Sequence, residues 1–189
     1  MRIIAGSRRG AILTKLDAVS TRPTSDRVRE SLFNILEGGR FGRILANCHV
    51  IDLFAGTGAL GLEAISRGAI FASFIENNDA ALAVLRANIA KLCFQSSTAV
   101  MAVNALSLAR WQGARAQLVF ADAPYESGAG MVAVLALAQI GALTDGAVIV
   151  LETTKTETLD INNDGRNAFT IVEARCYGRV VLHFLTYQA

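Results

Sequence analysis

The chemistry-bearing residues of this chain stand where apolar runs end. The sharpest case is Asp122–Ala123–Pro124–Tyr125, which closes the run "QLVF". A buried strand gains nothing from a terminal carboxylate, so Asp122 is either a polar cap or a reacting group. Upstream, "DLFAGTGALG" begins on Asp52 and holds Gly56, Gly58 and Gly61 in the spacing of a nucleotide-binding turn. Glu76 ends the next apolar run, about 20 residues on, where a ribose-binding acid belongs. Asn104 and Ala105 follow the third run. Glycines at a strand-to-helix turn can serve packing alone, and Asn104 alone reads as a helix cap. Together the four positions favour a ligand that carries a nucleoside.

Which nucleoside follows from charge. A pyrophosphate seeks a helix N-terminus without a nearby acid, yet Asp52 stands four residues before Gly56. S-adenosylmethionine has no phosphate and carries an ammonium and a sulfonium, which an acid favours. The candidate donor site is therefore Asp52, Phe54, Ala55, Gly56, Thr57 and Gly58 in the turn, Glu76 for the ribose, and Asn104 with Ala105 for the adenine edge.

Asp122 then has a use. An exocyclic base amine is a poor nucleophile because its lone pair is delocalised into the ring. A carboxylate accepting one N–H and a backbone carbonyl accepting the other localise that pair. Asp122 supplies the first and Ala123 the second, while Pro124 stiffens the turn. Tyr125 offers a ring on which a captured base can stack, worth about 1–3 kcal/mol.

The elements that position these residues alternate. "CHVIDLF", "IFASFIE", "TAVMAV", "AQLVFAD" and "GAVIVLE" read as strands, and "ALGLEAISRG", "NDAALAVLRANIAKL" and "GAGMVAVLALAQIG" as helices between them, with a short helix near Leu106. Such repeats predict an α/β fold with a mostly parallel sheet and helices on both faces. Ligands in such sheets sit at the carboxyl ends of the strands. "FTIVEARCY" and "RVVLHFLTY", meeting at Gly178, predict a C-terminal antiparallel hairpin. The polar stretch from Thr153 to Ala168 reads as a loop. At the N-terminus, "RIIAG" and "AILTKL" predict a small hairpin. A helix then follows Pro23, capped by Thr24 or Ser25, with Val28, Leu32, Ile35 and Leu36 on its apolar face.

With 189 residues, the chain is expected to form a single domain, 1–189, with a basic hairpin-and-helix extension at 1–43 and a catalytic core at 44–189. Half the residues are apolar, which argues against disorder. No apolar stretch reaches the ~20 residues of a membrane span, and the N-terminus lacks the pattern of a secretory signal. Three dispersed cysteines and two histidines fit neither disulfide nor metal spacing, so a cytoplasmic protein without a metal is expected. Residues 1–43 hold nine Lys/Arg against four acids, a net of +5 in a chain whose total is +2. A basic arm on a mildly acidic body suits a polyanion. Its candidate RNA-binding residues are Arg8, Arg9, Arg22, Thr24, Arg27 and Arg29.

"DLFAGTGALGLEAISRGA", the acid ending the second strand, "NA" after the third and "DAPY" after the fourth resemble a class I methyltransferase. With "MRIIAGSRRG" and "RPTSDRVRESLFN", nearly the whole chain resembles the RsmD-type 16S rRNA guanine-N2 methyltransferases. The resemblance implies a Rossmann-like seven-stranded sheet, S-adenosylmethionine as donor, no metal, and one target guanine in 16S rRNA of the small subunit or an assembly intermediate. A monomer is the default. The family loop reads Asp-Pro-Pro-Tyr or Phe, and here Ala123 replaces the first proline. The carbonyl that would contact the amine is kept and conformational restriction is lost. The residues leave three alternatives open: an adenine-N6 methyltransferase on DNA or RNA, a nucleotide-dependent oxidoreductase, and a non-catalytic RNA-binding module.

Overall fold

The computed structural model describes residues 1–16, 25–124, 128–161 and 168–189. Its centre is a seven-stranded sheet of order β3-β2-β1-β4-β5-β7-β6. The strands are β1 His49–Leu53, β2 Phe71–Glu76, β3 Thr98–Ala102, β4 Ala116–Ala121, β5 Leu143–Thr154, β6 Phe169–Tyr177 and β7 Val180–Tyr187. The first five run parallel, and β7 lies antiparallel between β5 and β6. β1 pairs with β2 on one side and β4 on the other, so strand order reverses between β1 and β4. The carboxyl ends of β1 and β4 therefore open onto the crevice where such sheets bind ligands.

Helices α1 Asp26–Glu37, α2 Ala59–Ser66 and α3 Asp79–Leu92 contribute, with the N-terminal segment, to one apolar cluster. Helix α4 Ala129–Gln139 contributes to a second, on the opposite side of the sheet. Core strands such as β4 are buried at nearly every position, as a sheet covered on both faces requires. Asn78 caps α3 by accepting the amide of Ala81 at 3.0 Å, as its sequence pattern predicts. Among the described residues no helix is long and apolar enough to cross a membrane.

Ser25, one of the two candidate caps, closes the start of α1 by accepting the amide of Val28 at 3.3 Å, while Thr24 lies outside the described residues along with Arg22 and Pro23. Three other expectations change. The buried face of α1 is Arg29, Leu32, Phe33 and Leu36, with Val28 and Ile35 only half-buried. Arg29, expected on the basic surface, is 1% exposed. It donates to the Arg2 carbonyl and pairs with Asp26 at 3.1 Å, and burial lowers its pKa from the ordinary value. Its cation holds the first residues of the chain against α1, so Arg29 leaves the candidate RNA-binding set. Finally, β5 continues through Thr154, past the Glu152 at which the sequence pattern ends it. Pairing with β7, as Thr153↔Val181 and Thr154↔Val180, extends the strand where the sequence shows only polar residues.

The N-terminal hairpin is short. Arg2 and Ile12 form one antiparallel bridge, and the chain turns through a 3-10 helix at Gly6–Arg8.

Candidate active site

The turn after β1 is built from strain and close packing. Phe54 has φ 55°, a left-handed conformation uncommon for a bulky side chain, and it swings the chain from β1 toward α2. The three glycines serve different ends. A Cβ on Gly58 would lie 2.3 Å from Leu85 Cδ1, and one on Gly61 would lie 2.5 Å from the ring of Phe74. Those two glycines let α2 pack tightly. Gly56 has φ 54° but meets only the Phe54 carbonyl, at 3.9 Å. Its backbone faces open space, as an approaching ligand needs.

Acids surround this turn. Asp52 is 2% exposed, and its Oδ2 accepts the amide of Gly61 at 2.8 Å. Burial raises its pKa to about 8, the Gly61 amide opposes the rise, and the charges of Asp122 and Glu76 add to it. Glu76 Oε2 accepts the amide of Gly56 at 2.8 Å, and Oε1 accepts those of Asn77 and Asn78, also at 2.8 Å. The acid at the end of β2 therefore fixes the glycine turn as well as facing the space beside it. The charges of Asp122 and Glu76 bearing on this turn favour a cationic ligand, as the sulfonium and ammonium of S-adenosylmethionine would be.

Beside Glu76 a cleft of about 220 Å³ opens. Phe54, Glu76, Asn104, Ala105 and Pro124 all line it, so five residues singled out from the sequence meet in one place. Asn104 Oδ1 accepts the amide of Leu106 at 2.9 Å and caps the 3-10 turn Ala105–Ser107. The cap reading of Asn104 holds, and the cap sets the wall of the cleft. Val103 and Leu106 also line it and are 40% and 46% exposed. Sequence reasoning missed both, because nothing in their types separates a cleft wall from an ordinary surface.

The Asp122–Ala123–Pro124 turn follows β4 directly. Pro124 lines the cleft, while Ala123 lines a second pocket of about 170 Å³ with Gly130, Leu151, Glu152 and Thr153. The turn thus divides two concavities at the carboxyl edge of the sheet. Tyr125 lies outside the described residues.

The basic arm is anchored by groups the sequence did not flag. Glu63 on α2 is fully buried, and its carboxylate accepts the amides of Ile4 at 2.7 Å and Ala5 at 2.9 Å. Arg67 pairs with Glu63 at 2.7 Å and Glu37 at 2.6 Å, and stacks 4.7 Å over the ring of Phe33. Ser66 Oγ accepts the Arg8 amide and donates to the Ala5 carbonyl. Only glycine fits at position 6, where a Cβ would sit 1.7 Å from the Ser66 carbonyl oxygen and φ is 81°. Arg8 is exposed, yet its Nε donates to the Leu92 carbonyl at 2.8 Å and its guanidinium lies 5.5 Å over Phe94. Arg9 and Arg27 are exposed.

A sheet of this order, with a glycine turn after β1, an acid after β2 and an Asp-Ala-Pro turn after β4, defines a Rossmann-like methyltransferase. Residues 1–186 match the family model described as "Conserved hypothetical protein 95", and the chain belongs to that family. It is 39% identical over 152 residues to the ribosomal RNA small subunit methyltransferase D of Escherichia coli, covering 80% of this chain and 74% of that relative. The protein of the same name from Haemophilus influenzae is 34% identical over 163 residues, 84% of this chain and 81% of its own. The solved structure of yhhF from Escherichia coli, named provisionally as a methyltransferase, has a TM-score of 0.85 at 33% identity and covers 100% of this chain and 98% of that one.

Proposed function

We propose that this enzyme methylates the exocyclic N2 amine of one guanine in 16S rRNA, using S-adenosylmethionine. The observation that carries the reading is the meeting of Phe54, Glu76, Asn104, Ala105 and Pro124 in one cleft, where the Asp122–Pro124 turn brings its proline to the wall that holds Glu76. Relatives named for small-subunit ribosomal RNA supply the substrate class.

Bound in the cleft, S-adenosylmethionine would supply a methyl group made electrophilic by the sulfonium. Gly56 would give it close backbone approach, Glu76 would accept from its ribose hydroxyls, and Phe54, Asn104 and Ala105 would flank its adenine. Asp52 favours its positive charge once ionised, as pH rises through about 8. Asp122 accepts one N–H of the guanine amine and the Ala123 carbonyl accepts the other, which aims the nitrogen lone pair at the methyl carbon. Nitrogen–carbon bond formation accompanies carbon–sulfur cleavage, and the proton that nitrogen sheds passes to Asp122 and on to solvent. Pro124 holds the turn and Tyr125 stacks on the base. The exposed cations Arg8, Arg9 and Arg27, with Arg22 and Thr24, hold the RNA backbone outside the pocket.

The chain works as one unit, a core at 44–189 with its arm at 1–43. It acts as a monomer in the cytoplasm, on the small subunit or an assembly intermediate, and without a metal. Labelled S-adenosylmethionine incubated with methyl-deficient small subunits, followed by nucleoside analysis, tests the reading. N2-methylguanosine is expected; N6-methyladenosine, or no incorporation, would overturn it.

A further inference from the structure

Asn88 lies on α3 and is fully buried. Its Oδ1 accepts the amide of Thr14 at 2.8 Å, and its Nδ2 donates to the carbonyls of Thr14 at 3.2 Å and Thr57 at 3.0 Å. Thr14 belongs to the returning segment of the basic arm, and Thr57 lies between Gly56 and Gly58 in the turn at the donor cleft. One carboxamide therefore holds two elements with different proposed tasks. It does so through their backbones alone, so the types of residues 14 and 57 give no hint of the link.

We propose that Asn88 is a positioning residue that couples donor binding to RNA docking, so that each ligand tightens the other. The proposal rests on the function proposed above. Both amide hydrogens of Asn88 are used, and displacing either the arm or the turn strands a polar group in a buried site. The two elements consequently order together. A donor that fixes the turn lessens the ordering still required of the arm when RNA docks, and the reverse holds with the same factor.

The affinity of a fluorescent 16S rRNA fragment, measured by anisotropy with and without saturating S-adenosylhomocysteine, tests the coupling. The wild-type protein is expected to bind RNA about fivefold more tightly with the nucleoside, the low end of typical couplings. Asn88→Ser and Asn88→Ala should bring that ratio to about one. Thr14→Val, which leaves the backbone contacts in place, should keep it. Amide exchange on the unmodified protein gives a second readout: S-adenosylhomocysteine should slow exchange at Thr14, remote in sequence from the cleft. Nucleoside binding without coupling, without protection at Thr14, or with coupling intact in folded Asn88 variants would each overturn the proposal. Failure of the wild-type protein to bind S-adenosylhomocysteine would instead overturn the donor site, and this proposal with it.

Discussion

Asp52 Oδ2 accepts the backbone amide of Gly61 at 2.8 Å, joining the end of β1 to the first turn of α2. The buried acid proposed to favour the donor's charge is thus a structural acceptor, which ties its protonation to stability. Its pKa is raised from 3.8 to about 8, so the folded state holds a proton that the unfolded chain has released over that range. Stability from this group is complete below about 4 and is lost as pH rises through about 8. Melting temperatures of the wild-type protein should fall across this window relative to Asp52→Asn, whose amide oxygen can still accept from Gly61. The affinity ratio of cationic S-adenosylmethionine to neutral S-adenosylhomocysteine should also rise with pH, and only in the wild type. Parallel melting profiles for the two proteins would remove Asp52 as the titrating group.

Glu76 accepts three backbone amides and lines the cleft, so its removal frees the glycine turn and deletes the proposed ribose acceptor. Glu76→Ala is expected to weaken S-adenosylhomocysteine by the roughly 1.5–3 kcal/mol typical of hydrogen bonds to a charged group. Calorimetry reads this directly, and unchanged affinity in a folded variant would refute the assignment.

The order of strands and helices was legible because buried parallel strands and amphipathic helices carry their periods in sequence. So were the residues at the cleft, since each follows a strand: Phe54, Glu76, Asn104, Ala105 and Pro124. What stayed hidden depends on contacts between distant segments. Arg29 looked like a surface cation because its compensation comes from the Arg2 carbonyl as well as from nearby Asp26. Glu63 and Asn88 are polar residues inside helices, and their partners include backbone groups 31 to 74 residues away. β5 outran its apolar pattern because β7 supplies hydrogen bonds regardless of side-chain type.

Asp122→Ala should slow single-turnover methyl transfer by about 10²–10³, the usual cost of deleting one aligned electrostatic group. In the proposed mechanism its carboxylate acts on the amine in the transition state, so S-adenosylhomocysteine affinity should stay near normal. A variant that keeps most of its single-turnover rate would disprove the role. Ala123→Pro, which restores the loop of the resembled family, is expected to give equal or faster turnover.

Arg8 and Arg9 are adjacent and exposed, yet among the described residues it is Arg8 that makes structural contacts, with Nε on the Leu92 carbonyl and the guanidinium over Phe94. The two should separate experimentally. Arg9→Ala should leave the melting temperature unchanged and reduce the salt dependence of small-subunit binding by about one unit of slope, as expected for one lost phosphate contact. Arg8→Ala should lower that slope and also the melting temperature, because the arm loses its hold on the end of α3. S-adenosylhomocysteine binding measured without RNA should be unaffected in Arg9→Ala. A wild-type salt slope in both variants would mean that the phosphate contacts lie elsewhere on the protein.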